Sequence, residues 1–216
     1  LTLGLSSHAQ NDAPIVKTDQ VRAELLAHAP QGVQPGQTFW LGLQIQHQAH
    51  WHTYWQNPGD SGLPTQLQWN LPAGLSAGDI AWPLPKKIPI GTLANYGYED
   101  TVLLRVPVSV GADFKPPVAG PIKIALRAEW LVCRQECIPQ EGQFSLSLPA
   151  QSATALHGST FEAASHQTPQ KLPQQKQGGS WILGGTTRLG ENGQQLEMRL
   201  HGLPVAWRGQ TLSAFP

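Results

Sequence analysis

Charge is scarce and balanced in this chain of 216 residues. Only 13% of the residues are charged, and the 14 basic side chains equal the 14 acidic ones in number. Proteins that bind nucleic acid or an anionic membrane surface usually carry a basic excess, so the composition predicts neither partner. No apolar run reaches the roughly 18 to 20 residues that a helix needs to cross a bilayer.

Several motifs that define a reaction mechanism are also missing. The sequence contains no glycine-rich phosphate loop, no Ser/His/Asp order and no paired carboxylates. Hydrolase and nucleotide-binding functions therefore have no support. A zinc site would need about four ligands, and haem attachment would need Cys-x-x-Cys-His, so both sites are disfavoured.

Cysteine occurs only twice, as Cys133 and Cys137. A disulfide between residues this close stabilises the fold only weakly, because the chain-entropy model assigns ~2 kcal/mol of stabilisation to a disulfide that closes a loop of about five residues. Such a pair is better suited to a disulfide that forms and breaks during function. The spacing therefore predicts thiol–disulfide exchange, although secreted domains also carry purely structural hairpin disulfides.

Apolar and polar residues alternate along five segments, which is the period of strands with one buried face. The predicted inward-facing residues are Val21, Ala23, Leu25 and Ala27; Phe39, Leu41, Leu43 and Ile45; Val102, Leu104, Val106, Val108 and Val110; Ile122, Ile124, Leu126, Ala128 and Trp130; and Phe144, Leu146 and Leu148. Turns rich in Gly and Pro separate these segments. We therefore predict an all-β fold, an immunoglobulin-like antiparallel β-sandwich followed by a linker and the start of a second β-domain.

Composition divides the chain into four predicted segments. Residues 1–14 are a signal-peptide remnant and leader, residues 15–150 the immunoglobulin-like exchange domain, residues 151–180 a short helix and a Gln/Pro-rich linker, and residues 181–216 the start of a second, truncated β-domain. Ser7-x-Ala9 resembles a signal-peptidase site and predicts export to a compartment where disulfides persist. Ser159 to Glu162 fits a capping box that would begin the helix.

Strand parity predicts where the two sulfurs lie. Trp130 and Val132 point inward, so Cys133 is expected on the outward face, with Cys137 following after three intervening residues. We expect both cysteines at the exposed tip of a hairpin. A disulfide between them requires Cα atoms ~4.4 to 6.8 Å apart, which a five-residue tip can provide. A small exposed ring of this kind is more easily reduced than a buried disulfide.

Three motifs in this order resemble a known family. They are the block His50 to Pro64, the segment Tyr96-Gly97-Tyr98-Glu99-Asp100, and Trp130-Leu131-Val132-Cys133-x-x-x-Cys137-Ile138-Pro139. Together they are similar to the periplasmic N-terminal domain of DsbD-type protein-disulfide reductases, and in particular to the ScsB-like group, which is linked to suppression of copper sensitivity. The resemblance covers about residues 15 to 150.

The resemblance implies a periplasmic protein-disulfide reductase domain, the exported part of an inner-membrane protein. It implies electron transfer from a membrane-embedded thiol pair to exported proteins, with sulfur as the only carrier and no dissociable cofactor. The implied partners are thioredoxin-like periplasmic proteins and the thioredoxin-like and transmembrane domains of the same full-length protein.

The resemblance also assigns roles within the site. Cys137 forms the mixed disulfide with partners, and Cys133 resolves it. A cap loop that shields the sulfurs is matched to residues 93–97. Asn95 occupies the place where an aromatic cap residue is expected, so Tyr96 or Tyr98 is expected to shield the sulfurs instead.

Histidines leave a second function open. His50 and His52 would share a face of a strand, and imidazole is a sound copper ligand. This predicts a periplasmic copper-binding or copper-tolerance module, whereas packing or hydrogen bonding next to Trp51 and Trp55 is the stronger interpretation. A third possibility is a non-catalytic interaction sandwich with a structural disulfide.

Two further predictions concern the block that follows His50. Trp51, Tyr54 and Trp55 are expected in the sandwich core, although an exposed aromatic platform would also explain them. Asn57 and Asp60 are expected to bond to their own backbone within a turn.

Overall fold

The computed structural model describes residues 13–169, 184–189 and 196–201, the last two ranges as backbone only. The chain divides into two units, residues 1–169 and 170–216. Residues 1–12 of the predicted leader and most of the predicted linker lie outside the described ranges. Within the described residues, no helix has the length and apolarity to cross a membrane.

Residues 13–169 form eleven strands and one helix. The strands are β1 (Ile15–Lys17), β2 (Val21–His28), β3 (Thr38–His47), β4 (Thr53–Gly59), β5 (Gln66–Asn70), β6 (Leu75–Ala77), β7 (Lys86–Ile90), β8 (Leu93–Tyr98), β9 (Thr101–Val110), β10 (Ile122–Cys133) and β11 (Cys137–Leu148), and the helix is α1 (Gly158–His166). Every strand pair in these residues is antiparallel.

One layer is a five-stranded sheet with the order β1-β2-β3-β9-β6. Its inward side chains on β2, β3 and β9 are the alternating residues that the sequence predicts, and all of them are buried. Alternation gives the correct face here because successive side chains of a strand point to opposite sides of the sheet.

The remaining strands of residues 13–169 form two three-stranded sheets with the orders β11-β10-β5 and β4-β8-β7. The predicted inward residues of β10 and β11 are buried as well, including Trp130 and Phe144. The predicted all-β, immunoglobulin-like antiparallel sandwich is therefore confirmed. A bridge between His52 and Cys133 joins the start of β4 to the end of β10.

Helix α1 packs on the outer face of the five-stranded sheet. Phe161 and Ala164 of the helix form a small buried cluster with Leu26 and Leu103. Gly42 makes room for this contact, since a Cβ at that position would lie 2.7 Å from the Leu103 side chain and 3.3 Å from the ring of Phe161.

The predicted capping box is wrong although the helix exists. The residue at the N-cap is His157, which makes no side-chain capping bond, and Ser159 lies inside the first turn. The backbone N–H of Phe161 already donates to the carbonyl of His157. Packing of Phe161 therefore outweighs the capping preference of Ser159.

The second unit contains an antiparallel hairpin. Its strands are β12 (Gly184–Leu189) and β13 (Leu196–His201). The strand predicted around Leu196, Met198 and Leu200 is therefore present. The facing of those side chains lies outside the described part of the chain, and the predicted domain boundaries stay predictions.

Candidate functional site

The two cysteines are joined by a disulfide across the tip of the β10–β11 hairpin. Cys133 ends β10, Cys137 begins β11, and the two residues are direct register partners with Cα atoms 4.1 Å apart. The backbone N–H and C=O of Cys133 bond to His52, at 2.9 and 3.0 Å, and not to Cys137. Paired residues of an antiparallel ladder that share no backbone bonds have the closest Cα atoms, at ~4.5 Å, and this accounts for the short separation of the two cysteines.

The two cysteines differ sharply in exposure. Cys133 is only 1% exposed, whereas Cys137 is exposed. The expectation that both sulfurs lie on an open hairpin tip is therefore wrong for Cys133. Parity correctly places Cys133 on the outward face, but the chain that enters β4 at His52 pairs with Cys133 and covers it.

A cation lies against the segment that covers Cys133. The guanidinium carbon of Arg134 is 5.2 Å from the centroid of the Trp51 ring. A guanidinium over an aromatic face is attracted by the ring quadrupole. This contact links the hairpin tip to the start of β4 on the side of the buried cysteine.

Tyr54 reaches the exposed sulfur from β4. Its hydroxyl lies 3.8 Å from Sγ of Cys137 and 3.3 Å from Nε2 of His52. Burial raises the pKa of Tyr54, and burial lowers the pKa of His52 against the opposing effect of Glu99. Both groups are therefore neutral near pH 7, and the phenol keeps a proton that it can donate to the sulfur or to the imidazole.

Sequence reasoning placed Tyr54 in the core but missed its contact with the sulfur. The prediction of burial is confirmed for Trp51, Tyr54 and Trp55. The sequence signal for this contact is the two-residue spacing of His52 and Tyr54, which puts both side chains on one side of the chain at the start of β4. The spacing indicates a contact with Cys137 only when the start of β4 is known to lie next to the hairpin tip.

The loop that follows β4, residues 60–64, holds the Tyr54 ring in place. Gly62 has a φ of +104°, and a Cβ there would lie 2.3 Å from a ring carbon of Tyr54. Only glycine permits both this backbone conformation and this close approach. Pro64 then forms a parallel bridge with Tyr54, so the loop folds back over the tyrosine.

The same loop is tied to β8, which contains the predicted cap. The Asp60 carboxylate accepts a hydrogen bond from the backbone N–H of Ala94 at 2.7 Å. Oδ1 of Asn95 accepts bonds from the N–H and the hydroxyl of Ser61, both at 3.1 Å. Asn57 accepts a hydrogen bond from the nearby N–H of Gly59, so its predicted local bond is present, but at the end of β4 and not within a turn. Asp60 bonds to the neighbouring strand instead.

Two of the three predicted cap residues direct their polar groups away from the sulfurs. Asn95 is fully buried against Ser61, and its Nδ2 has no hydrogen-bond partner within residues 13–169. The Tyr98 hydroxyl donates to the carbonyl of Pro83 at 2.8 Å, and burial raises the pKa of Tyr98. Tyr96 is half-buried next to Gly59, and its shielding role stays a prediction.

The histidines do not form the predicted common face. His50 is exposed in a turn with a φ of 70°, whereas His52 is buried beneath the site. The ring of His47 bonds to the carbonyl of Asp100 and the hydroxyl of Thr53, both at 3.0 Å, and burial lowers the pKa of His47 to about 4. Among the described residues, no group of three or more His, Cys, Asp or Glu side chains is arranged to hold a metal ion.

Comparisons with known proteins agree with this architecture. The family profile described as thiol:disulfide interchange protein DsbD, N-terminal, matches residues 22–149. The crystal structure of the N-terminal periplasmic domain of ScsB from Proteus mirabilis matches with a TM-score of 0.57 and 16% identity, covering 83% of this chain and 75% of that chain. At 16% identity, this structural similarity indicates a shared fold and nothing more.

Similarity to other known proteins is weak. The yeast GGA1 GAE domain matches with a TM-score of 0.33 and 13% identity, covering 62% of this chain and 96% of that chain, and a score this low does not indicate a shared fold. Among curated proteins, none matches the sequence at a significant level.

Proposed function

The chain belongs to the family of DsbD N-terminal thiol:disulfide interchange domains, and we propose that it is a periplasmic protein-disulfide reductase domain. In this proposal it receives electrons from a membrane-embedded reductase and passes them to exported proteins through Cys133 and Cys137. The observation that supports it best is the pairing of an exposed cysteine, Cys137, with a buried one, Cys133.

The reaction begins with the reduced cysteine pair. The Cys137 thiolate attacks one sulfur of a partner disulfide, the S–S bond breaks, and the other partner sulfur leaves as a thiolate that takes up a proton. The Cys133 thiolate then attacks Sγ of Cys137 and releases the second partner sulfur. Two electrons and two protons have passed to the partner, and the Cys133–Cys137 disulfide has formed.

The difference in burial supports the order of these steps. A partner disulfide reaches only an exposed sulfur, so Cys137 is the attacking residue. Cys133 is covered by the start of β4 but lies within bonding distance of Cys137. Its attack is therefore intramolecular, and it releases the reduced partner in competition with the partner's own second thiol, whose attack would reverse the first step.

Tyr54 has a positioning role in this proposal. Once Cys137 is reduced, the hydroxyl 3.8 Å from its sulfur has a negatively charged acceptor within reach. A hydrogen bond to a thiolate stabilises the form that attacks. His52 bonds to the other side of the same hydroxyl and holds it in the site.

The partners and the cellular location of this domain are proposed from its membership of the DsbD N-terminal family. The proposed partners are thioredoxin-like periplasmic proteins and the thioredoxin-like and transmembrane domains of the same full-length protein. The Tyr96 region of β8 is proposed to cap the sulfurs when no partner is bound.

The redox potential of the pair tests the proposal directly. Equilibration against glutathione buffers, read by alkylation of free thiols, should give a potential between about −180 and −270 mV, the range of exchange proteins. A structural disulfide should lie below about −300 mV. A value in that lower range would contradict exchange and favour an interaction sandwich with a permanent bridge.

A further inference from the structure

An apolar surface lies next to the exposed sulfur on the outward face of β10 and β11. Leu131 and Pro139 are register partners, and they are the next pair on the face that carries Cys133 and Cys137. Leu63 and Pro64, which precede β5, border them on the side of β10. These four residues, here called the apolar shelf, line a groove of about 420 Å³.

The shelf is open to solvent. Leu63 is 64% exposed, Pro139 is exposed, and Leu131 and Pro64 are half-buried. Exposed apolar groups that lie together are typical of binding surfaces. Pro64 also pairs with Tyr54, whose hydroxyl reaches Cys137, so the shelf is held in a set position relative to the sulfur.

Charged residues close the far end of the groove. Arg127 pairs with Glu129 at 2.7 Å and with Glu141 at 2.6 Å. One cation among two carboxylates leaves this end net negative. The groove therefore favours an apolar occupant and opposes an acidic one.

The chemistry at Cys137 determines what comes next to the shelf. A mixed disulfide holds the partner's Cα about 5.5 to 6 Å from that of Cys137. Pro139 is two residues further along β11, a distance of about 7 Å. Residues directly flanking the partner's reactive cysteine therefore reach the shelf.

We propose that the apolar shelf docks an uncharged apolar residue next to the reactive cysteine of the partner polypeptide and thereby selects partners. This inference rests on the proposed exchange function. The contact area around the sulfur alone is small, and burial of an apolar side chain on the shelf would add to the free energy of binding. It would also favour the approach of Cys137 to one type of partner disulfide over others.

A set of peptide disulfides tests the inference. Three end-blocked peptides carry one cysteine flanked by Leu, Ser or Asp residues, each as a mixed disulfide with a chromogenic thiol, and glutathione disulfide serves as the small reference. With the reduced full chain, we expect the Leu peptide to react about tenfold faster than the Ser peptide and the Asp peptide to react slowest, all relative to glutathione disulfide.

Two variants locate the effect. Leu63→Glu should abolish the preference for the Leu peptide, and Pro139→Glu, on the other side of the groove, should do the same. The matched control is Val118→Glu, which changes a fully exposed apolar residue away from the groove and should keep the preference.

The outcomes distinguish a failure of the docking proposal from a failure of the proposed exchange function. Equal rates for the Leu and Ser peptides, or a preference that survives in Leu63→Glu and Pro139→Glu, would overturn the shelf while leaving exchange intact. If the reduced protein reacts with none of the disulfides, glutathione disulfide included, the proposed function fails and the inference fails with it.

Discussion

The hydroxyl of Tyr54 lies 3.8 Å from Sγ of Cys137, although 83 residues separate the two in the chain. The tyrosine is 1% exposed and its partner is exposed, so a buried phenol touches the accessible sulfur from below. This contact joins the β4 segment to the hairpin tip at the point where a mixed disulfide would form.

Removal of the Tyr54 hydroxyl should slow exchange. Tyr54→Phe keeps the ring against Gly62 but removes the donor that reaches the thiolate, so we expect the rate with glutathione disulfide at neutral pH to fall about fivefold. The matched control is Tyr98→Phe, which loses a buried hydroxyl that bonds to Pro83 instead. An equal effect of both changes would show that Tyr54 acts only through stability.

The two cysteines should give opposite results in a trapping experiment. Cys133→Ser leaves the exposed sulfur without its resolving partner and should accumulate a mixed disulfide with a thioredoxin-like domain. Cys137→Ser leaves only a buried thiol, which should trap little and react slowly with iodoacetamide. Accumulation by Cys137→Ser alone would reverse the two roles.

Gly62 should be more sensitive to substitution than other glycines with positive φ. Gly62→Ala places a Cβ against the Tyr54 ring and should lower the free energy of unfolding by at least about 3 kcal/mol. Gly36→Ala is the matched control, since Gly36 has a φ of +76° but nothing lies within 4 Å of its added Cβ. It should cost only about 1 to 2 kcal/mol.

Denaturant unfolding of the oxidised proteins measures both costs. A ring that shifts in Gly62→Ala should also disturb the hydroxyl at Cys137, so exchange should slow in this variant and not in Gly36→Ala. Equal losses of stability in the two variants would show that the loop can yield around the ring.

Stability should fall with acidity as His47 becomes protonated. Burial lowers the pKa of His47 from 6.5 to about 4 in the folded protein, so below pH 6.5 the unfolded chain binds the proton more readily. Stability is fully present above pH 6.5 and is lost as the pH falls towards 4, by about 3 kcal/mol in all. Denaturant midpoints between pH 7 and pH 4.5 measure this loss.

The control for this dependence is His47→Gln, which cannot take up the proton. Carboxylates contribute to the acid loss in both proteins, so the difference between the two curves isolates the histidine. Parallel curves from pH 7 to pH 4.5 would contradict the assignment. His52, whose pKa burial also lowers, contributes in the same direction in both proteins.

Period-two alternation was sufficient to predict five of the eleven strands in residues 13–169, namely β2, β3, β9, β10 and β11. Each of these strands buries the predicted face, because that face is set by the residue order of the strand alone. The pairing of Cys133 with Cys137 follows almost as directly, since a three-residue tip brings strand ends together wherever the hairpin lies.

Two of the predictions that failed involve contacts between distant segments. Asp60 bonds to Ala94 instead of its own turn, and the capping box at Ser159 yields to the packing of Phe161. In both places a short-range preference competes with a partner that the local sequence does not reveal.

By itself the sequence determined the all-β class, the buried faces of the strands and the choice of the two sulfurs, because these depend on spacing within one strand or one hairpin. Only the tertiary structure decided which sulfur is accessible and that Tyr54 touches it. The start of β4 crosses the tip of a hairpin some 80 residues later in the chain, and its backbone bonds to Cys133 bury one cysteine while leaving the other open.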